Sequence, residues 1–101
     1  MALLQARTES GVIAGQYSGN PEITVFKGIP YAAPPVGALR WAPPQPVQAW
    51  EAVYQAYTFR DIPIQVEERH PFYSREFYRC RKPMSEDCLY LNIWTPAETE
   101  N

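Results

Sequence analysis

The chain has 101 residues and a formal net charge of -2, so it is long enough for one domain and shows no charge excess that would indicate a nucleic-acid partner. Its apolar content of 46% excludes general disorder. Proline is the unusual component, because 11 prolines are about twice the usual ~5%. The composition therefore predicts one globular unit that contains a proline-stiffened segment.

The first part of the sequence predicts an antiparallel β-meander. Residues 3–8 and 12–17 flank a short turn that ends in Gly11, which is typical of a β-hairpin. A second turn leads into residues 23–27, which alternate and are rich in β-branched side chains. Residues 1–27 are therefore predicted to form three consecutive antiparallel strands.

Residues 28–50 are predicted to form a long proline-rich loop. Six prolines lie within residues 30–46, and proline fixes φ and removes a backbone donor. Neither a helix nor a central strand tolerates that density. An extended path is expected, anchored by large side chains such as Leu39 and Trp50.

Residues 51–83 show only weak periodicity. A short strand is predicted at 53–56, and a loop or edge segment at 61–66, where a proline breaks the pattern. A short helix is predicted at 71–78, with proline in its first turn.

Residues 84–96 are predicted to contain a buried strand. Alternation places Leu89, Leu91 and Ile93 on one face. The opposite face receives Cys88, Tyr90 and Trp94. Both faces are apolar, which is typical of a strand covered on both sides in a larger α/β sheet. We therefore expect an α/β protein of which this chain is one part.

An ion pair is predicted between Arg40 and Glu86. Glu86 precedes the predicted buried strand, and a buried carboxylate without a cation is strongly unfavourable. Arg40 lies among apolar neighbours and needs a carboxylate for the same reason. We expect a structural pair, whose disruption costs about 3–5 kcal/mol if both groups are buried.

No catalytic residue and no metal site can be assigned from the residues. Nucleophilic hydrolysis requires a serine or cysteine beside a histidine base, and the one histidine, His70, lies in a predicted loop. No G-x-S-x-G elbow or glycine-rich phosphate loop occurs. Cys80 and Cys88 do not have the spacing of zinc or redox ligands. We therefore expect this chain to hold no metal and no cofactor.

Several motifs follow one another in a fixed order along the chain. They are Phe26-Lys27-Gly28-Ile29-Pro30-Tyr31-Ala32, Pro34-Pro35-Val36-Gly37, Leu39-Arg40-Trp41, Pro43-Pro44, Trp50 and Ser85-Glu86-Asp87-Cys88-Leu89-Tyr90-Leu91-Asn92. In this order they resemble type-B carboxylesterases, which include the bacterial para-nitrobenzyl esterases and the cholinesterases. The resemblance extends over essentially the whole chain and corresponds to the N-terminal portion of the family.

The resemblance implies an α/β-hydrolase fold, a Ser-Glu/Asp-His triad and hydrolysis of carboxylic esters without a cofactor. The oxyanion loop and nucleophile elbow of the family would follow Pro96 and are not in this chain. Residues 51–83 would form a wall of the active-site gorge. There Tyr78 would take the place of the tryptophan that contacts the choline cation in cholinesterases. Ordinary aromatic packing is the alternative for Tyr78.

The resemblance also bears on the cysteines. Cholinesterases bridge the cysteine that matches Cys88 to an upstream cysteine, and that upstream position is Pro63 here. Cys80 is the alternative partner. Loss of the bridge favours a reducing compartment. The sequence also shows neither a secretory signal nor an apolar run of membrane-spanning length. We therefore expect a cytoplasmic protein.

Two functions remain open at this point. In the first, the chain is part of a serine esterase and supplies scaffold and one gorge wall. Its partners are then the remainder of the esterase domain and, in the complete enzyme, small-molecule carboxylic esters, with no nucleic acid and no membrane. In the second, the chain is a non-catalytic binding module that uses the basic segment at 69–82, or an inactive esterase-like fragment.

Overall fold

A computed structural model describes residues 1–65, 71–72 and 83–100. Its regular elements are β1 (Gln5–Thr8), β2 (Gly11–Ala14), β3 (Gln16–Tyr17), β4 (Thr24–Pro30), a 3₁₀ helix (Gly37–Leu39), β5 (Tyr54–Gln55) and β6 (Tyr90–Thr95). Pro71 and Phe72 are helical, and the rest of the helix predicted at 71–78 lies outside the described residues.

The strands form two three-stranded sheets. In the first sheet β2 lies in the centre, with β1 antiparallel to it and β5 parallel to it. In the second sheet β4 lies between β3 and β6, and both neighbours are antiparallel to it. The described chain is therefore mainly β-structure, and strands from both of its ends meet in the second sheet.

This topology divides the second strand of the predicted three-stranded meander between two sheets. The hairpin forms as predicted, and the Thr8 hydroxyl closes its turn by donating a 2.6 Å hydrogen bond to the Gly11 carbonyl. The strand predicted at 12–17 is divided into β2 and β3, and the third strand pairs with β3 as predicted and also with β6. The chain changes sheets at Gly15, where a Cβ atom would lie only 2.7 Å from the carbonyl oxygen of Val25. Alternation along a strand predicts its two faces and not its partner, so the sequence pattern could not reveal this crossing.

A small hydrophobic core draws residues from both sheets. Its buried members are Ile13, Phe26, Ile29 and Ala56, with Ala6, Trp50 and Tyr54 packed against them. The Trp50 indole donates a 2.9 Å hydrogen bond to the Val12 carbonyl, and the Trp50 ring lies 5.3 Å from the Tyr54 ring. The end of the proline-rich segment is thereby held against the hairpin.

Between β4 and β5, the 3₁₀ helix is the regular element of the proline-rich segment. Successive 3.1 Å hydrogen bonds join the amides of Leu39, Arg40 and Ala42 to the carbonyls three residues earlier. Trp41 lies within this turn with a φ of 65°. The segment therefore contains one tightly hydrogen-bonded turn.

The strand predicted within residues 84–96 spans Tyr90–Thr95 and is not buried in this chain. It lies at the end of the second sheet, and β4 is its strand partner among the described residues. Leu91, Ile93 and Trp94 are 37%, 41% and 55% exposed. The apolar pattern on both faces is present, but nothing in the described part of the chain covers either face fully.

Candidate functional site

The two longest sequence motifs meet at a β-bulge between β4 and β6. The register of the two strands shifts between Phe26 and Ile29, and Gly28 lies between them with a φ of 72°. A Cβ atom at Gly28 would lie 2.6 Å from the Thr58 carbonyl oxygen, so both the backbone conformation and the available space require glycine. The Gly28 amide donates a 2.9 Å hydrogen bond to the Asn92 side-chain oxygen. Sequence reasoning missed this junction, although a glycine inside a strand pattern is a signal for a bulge.

We expect Asn92→Ala to open this junction locally. The substitution removes the acceptor for a buried amide, and an unsatisfied buried donor costs about 1–3 kcal/mol. Hydrogen exchange of the Gly28 amide should therefore become about 5- to 150-fold faster, as measured by NMR or mass spectrometry.

Asn20→Ala is the matched control for this experiment. The Asn20 side chain accepts a 2.9 Å hydrogen bond from the Glu22 amide in an exposed turn that precedes β4, and it does not contact Gly28 in any described hydrogen bond. It should leave Gly28 exchange unchanged. An equal effect of the two variants would contradict a specific contact between Asn92 and Gly28.

A chain of polar contacts supports the bulge from the side of residues 54–60. The Tyr54 hydroxyl donates a 2.6 Å hydrogen bond to the Gly28 carbonyl, and Arg60 approaches the same hydroxyl at 3.5 Å. The Arg60 guanidinium also lies 4.5 Å from the centre of the Tyr90 ring. The Tyr90 hydroxyl donates a 2.8 Å hydrogen bond to Asp87. These contacts connect the bulge to the beginning of β6.

The same contacts change the ionisation of two groups. Burial and the hydrogen bond to Asp87 raise the pKa of Tyr90 to about 12, although Arg60 opposes the shift. Burial by itself lowers the pKa of Arg60. The hydrogen bond with Tyr54 and the nearby oxygens of Tyr90 and Asp87 outweigh this effect, so the pKa of Arg60 is raised. The network therefore favours a neutral Tyr90 and a charged Arg60.

We expect Tyr90 to ionise later than an ordinary tyrosine when the folded chain is titrated with base. Its folded pKa of about 12 exceeds the ordinary value of 10.0, so the folded state holds the proton more tightly than the unfolded state. The stability that this group contributes is present below pH 10 and is lost as the pH rises toward 12. Near-ultraviolet absorbance of the tyrosinates measures this titration. Tyr90→Phe should remove the late step, and a single transition near pH 10 would contradict it.

Arg40 and Glu86 lie together, as an exposed pair. Arg40 Nε is 3.1 Å from Glu86 Oε1, and the two side chains are 62% and 39% exposed. Water therefore screens the pair, and the predicted burial is absent in this chain. The pair still connects the turn of the proline-rich segment to the residues that precede β6.

We expect Arg40→Met to lower the free energy of unfolding of this chain by less than about 1 kcal/mol, because exposed ion pairs contribute little. A double-mutant cycle with Glu86→Gln, measured at low and high salt, isolates the pair energy. A coupling of several kcal/mol that does not depend on salt would show that the pair is buried in solution.

Cys88 and Pro63 line one cavity of about 320 Å³. Cys88 is a free thiol. The segment around Pro63 is held beside the β6 side of the structure by two hydrogen bonds, from Ile62 to the Pro83 carbonyl and from Ser85 to the Ile62 carbonyl. The two positions that the resemblance relates to each other therefore line the same cavity.

Three residues that the sequence singled out lie outside the described residues. They are His70, Tyr78 and Cys80. Within the described ranges, no cluster of three His, Cys, Asp or Glu side chains could hold a metal ion. Nor does any helix in those ranges have the length and apolar character needed to cross a bilayer.

The apolar residues of β6 are exposed on both faces of the strand: Leu91 and Ile93 lie on one face, and Trp94 lies on the other beside Phe59. We term these four residues the β6 surface. The Phe59 and Trp94 rings lie 6.4 Å apart, and the Lys27 ammonium lies 4.7 Å from the centre of the Phe59 ring. No proline or charged side chain occurs within β6 to protect its free edge. Such a surface is typical of one that is covered by further protein.

Comparison with known proteins identifies the family. Residues 3–101 match the profile described as the Carboxylesterase family. The chain is 37% identical over 98 residues to acetylcholinesterase from Bungarus fasciatus, covering 93% of this chain and 16% of that protein. It is 42% identical over 80 residues to carboxylesterase 1F from Mus musculus, covering 75% of this chain and 14% of that protein.

Two solved esterases share the observed arrangement. The Geobacillus stearothermophilus carboxylesterase aligns with a TM-score of 0.70 at 38% identity, covering 94% of this chain and 17% of that one. A PNB esterase aligns with a TM-score of 0.74 at 32% identity, covering 91% and 18%. The strands thus match the corresponding strands of solved esterases of the α/β-hydrolase class. The chain belongs to the carboxylesterase family, as its motifs predicted, and spans about 16% of the length of the first curated relatives.

Proposed function

We propose that this chain is the N-terminal segment of a carboxylic ester hydrolase of the serine esterase type, and that it supplies scaffold instead of the catalytic triad. The observation that carries the proposal is the β6 surface. Its strand is apolar on both faces, exposed in this chain and free along one edge among the described residues. A strand of this kind is stable when further sheet and helices cover it.

The Gly28 junction supports a scaffold role. One family motif provides the bulge and the other provides Asn92, which satisfies the bulge amide. The contacts of Tyr54, Arg60 and Tyr90 brace the same point. The residues that define the family in this chain therefore hold two strands in register, and none of them is arranged as a nucleophile beside a base.

The remaining parts of the proposal concern partners and location. The partner is the remainder of an esterase domain, in the same polypeptide or as a complementary chain, and the complete enzyme acts on small-molecule carboxylic esters without a cofactor. Residues 51–83 supply part of the gorge wall, with Tyr78 facing the substrate. The free Cys88 thiol supports a cytoplasmic location, because a reducing compartment keeps thiols unpaired.

A chimaeric enzyme tests the proposal. The chain replaces the matching segment of the Geobacillus stearothermophilus carboxylesterase, to which it is 38% identical. We call this hybrid protein the chimaera. We expect the chimaera to hydrolyse para-nitrophenyl acetate and to lose that activity when the catalytic serine of the host is changed to alanine. The isolated chain should show no hydrolysis above a heat-denatured sample.

Two results would contradict the proposal. Serine-independent hydrolysis by the isolated chain would show that it carries its own catalytic group. A folded chimaera that lacks activity, beside a fully active parent enzyme treated in the same way, would show that the chain cannot serve as this scaffold. The alternative of a separate binding module rests on residues 69–82, which lie outside the described residues apart from 71–72.

A further inference from the structure

Trp41 combines a strained backbone with an exposed side chain. Its φ of 65° makes it the non-glycine residue with a positive φ in the described part of the chain. Bulky residues rarely adopt this conformation. The side chain is nevertheless 94% exposed, more than any other large apolar residue in the described ranges. Among the described residues, no side-chain packing of Trp41 therefore compensates for the strain.

The position of Trp41 is fixed by the residues around it. The Arg40 amide donates a hydrogen bond to the Gly37 carbonyl, and the Ala42 amide donates one to the Leu39 carbonyl, both at 3.1 Å. The Arg40 side chain then reaches Glu86 at 3.1 Å. The turn holds Trp41 from both sides and is connected to the segment that leads into β6. Trp41 is thus a positioned side chain on a hydrogen-bonded turn.

We infer that Trp41 is an anchor that inserts into the remainder of the esterase domain, an inference that rests on the proposed function above. The Arg40–Glu86 contact joins the Trp41 turn to the residues that precede β6, so one partner can cover both the β6 surface and Trp41. A tryptophan buries a large apolar area and has a single donor, the indole N–H. The partner site is therefore an apolar pocket with one hydrogen-bond acceptor.

The backbone strain favours this interpretation over a simple surface role. Residues in unfavourable conformations persist where the surrounding structure determines them, and they cluster at binding sites. A permanently exposed turn would gain stability from glycine at position 41, because glycine adopts a positive φ without strain. Large aromatic side chains are also the residues that dominate the energy of protein interfaces.

Tryptophan fluorescence tests the inference independently of activity. The difference between the emission spectra of the parent protein and its Trp41→Phe variant isolates the emission of Trp41. We expect this emission to lie at long wavelength in the isolated chain, where water surrounds the ring, and to shift to shorter wavelength in the chimaera.

Three variants in the chimaera separate the side chain from the backbone. Trp41→Ala should accelerate thermal inactivation of the esterase by about tenfold or more, because an interface anchor is lost. Trp41→Gly relaxes the backbone as well, and it should still inactivate faster than the parent. Trp41→Phe keeps an aromatic ring and should have the smallest effect of the three.

The outcomes of this experiment are distinct from those of the previous one. An active chimaera in which Trp41 emission stays at long wavelength, or in which Trp41→Gly is as stable as the parent or more stable, overturns the anchor and leaves the proposed function intact. A folded but inactive chimaera overturns the proposed function, and the emission wavelength of Trp41 in it then decides the anchor by itself. An emission shift to shorter wavelength, together with faster inactivation of Trp41→Ala and Trp41→Gly, supports the anchor.

Discussion

Gly28→Ala is expected to destabilise the chimaera by about 2–5 kcal/mol. One part of this cost is the left-handed backbone, since φ is 72° at Gly28. The other part is steric, because the new Cβ atom would lie 2.6 Å from the Thr58 carbonyl oxygen and 2.7 Å from Arg60 Cγ. The backbone of β4 would have to move, and the contact between the bulge and Asn92 would be strained. The shift of the urea unfolding midpoint, followed by far-ultraviolet circular dichroism, measures the effect.

Gly37→Ala is the matched control for this substitution. Gly37 has a similar φ of 59°, but a Cβ atom there would meet no atom within 4 Å. The control should therefore cost only about 1–2 kcal/mol, which is the strain of the backbone alone. Equal shifts for the two variants would show that the bulge has room for a side chain, and that the close approach to Thr58 is absent in solution.

Phe26→Ala is expected to destabilise the chimaera by about 3–5 kcal/mol. Phe26 is only 2% exposed and belongs to the core cluster that both sheets share. Its removal leaves a cavity between β4 and the residues of β2 and β5 that pack against it. The two sheets would lose their main shared side chain, so esterase activity should be lost at a lower urea concentration.

Phe59→Ala serves as the control for ring removal. Phe59 is 40% exposed, and its described contacts are the Trp94 ring and the Lys27 ammonium. A loss of less than about 1.5 kcal/mol is expected in the isolated chain. In the chimaera the loss should be larger, because the β6 surface is then covered by further protein. A silent Phe26→Ala variant would contradict the shared core.

The elements that the sequence predicted best are those with local signals. The turn before Gly11 and the alternation of residues 23–27 are short-range patterns, and both appear in β1, β2 and β4. The family assignment also came from the order of the motifs, and the comparisons confirm it. The Arg40–Glu86 contact was predicted from the chemical need of each group for a partner. Its exposure was not predicted, because burial depends on protein that covers the pair.

The features that the sequence did not reveal all depend on contacts between distant segments. The chain crosses from one sheet to the other at Gly15, and the Gly28 amide finds its acceptor 64 residues later. The contacts among Tyr54, Arg60 and Tyr90 join β5 to β6. A strand pattern gives the two faces of a strand and leaves its neighbour and its register open.

The amino-acid sequence by itself determined the family, the hairpin and the apolar character of residues 88–95, because motifs, turn residues and alternation are local properties of the chain. Only the tertiary structure decided that β4 also pairs with β6, that Asn92 completes the bulge at Gly28, and that Trp41 is held strained and exposed. The physical reason is that strand pairing, amide satisfaction and exposure are set by which distant groups come together, and none of these is encoded within a single stretch of residues.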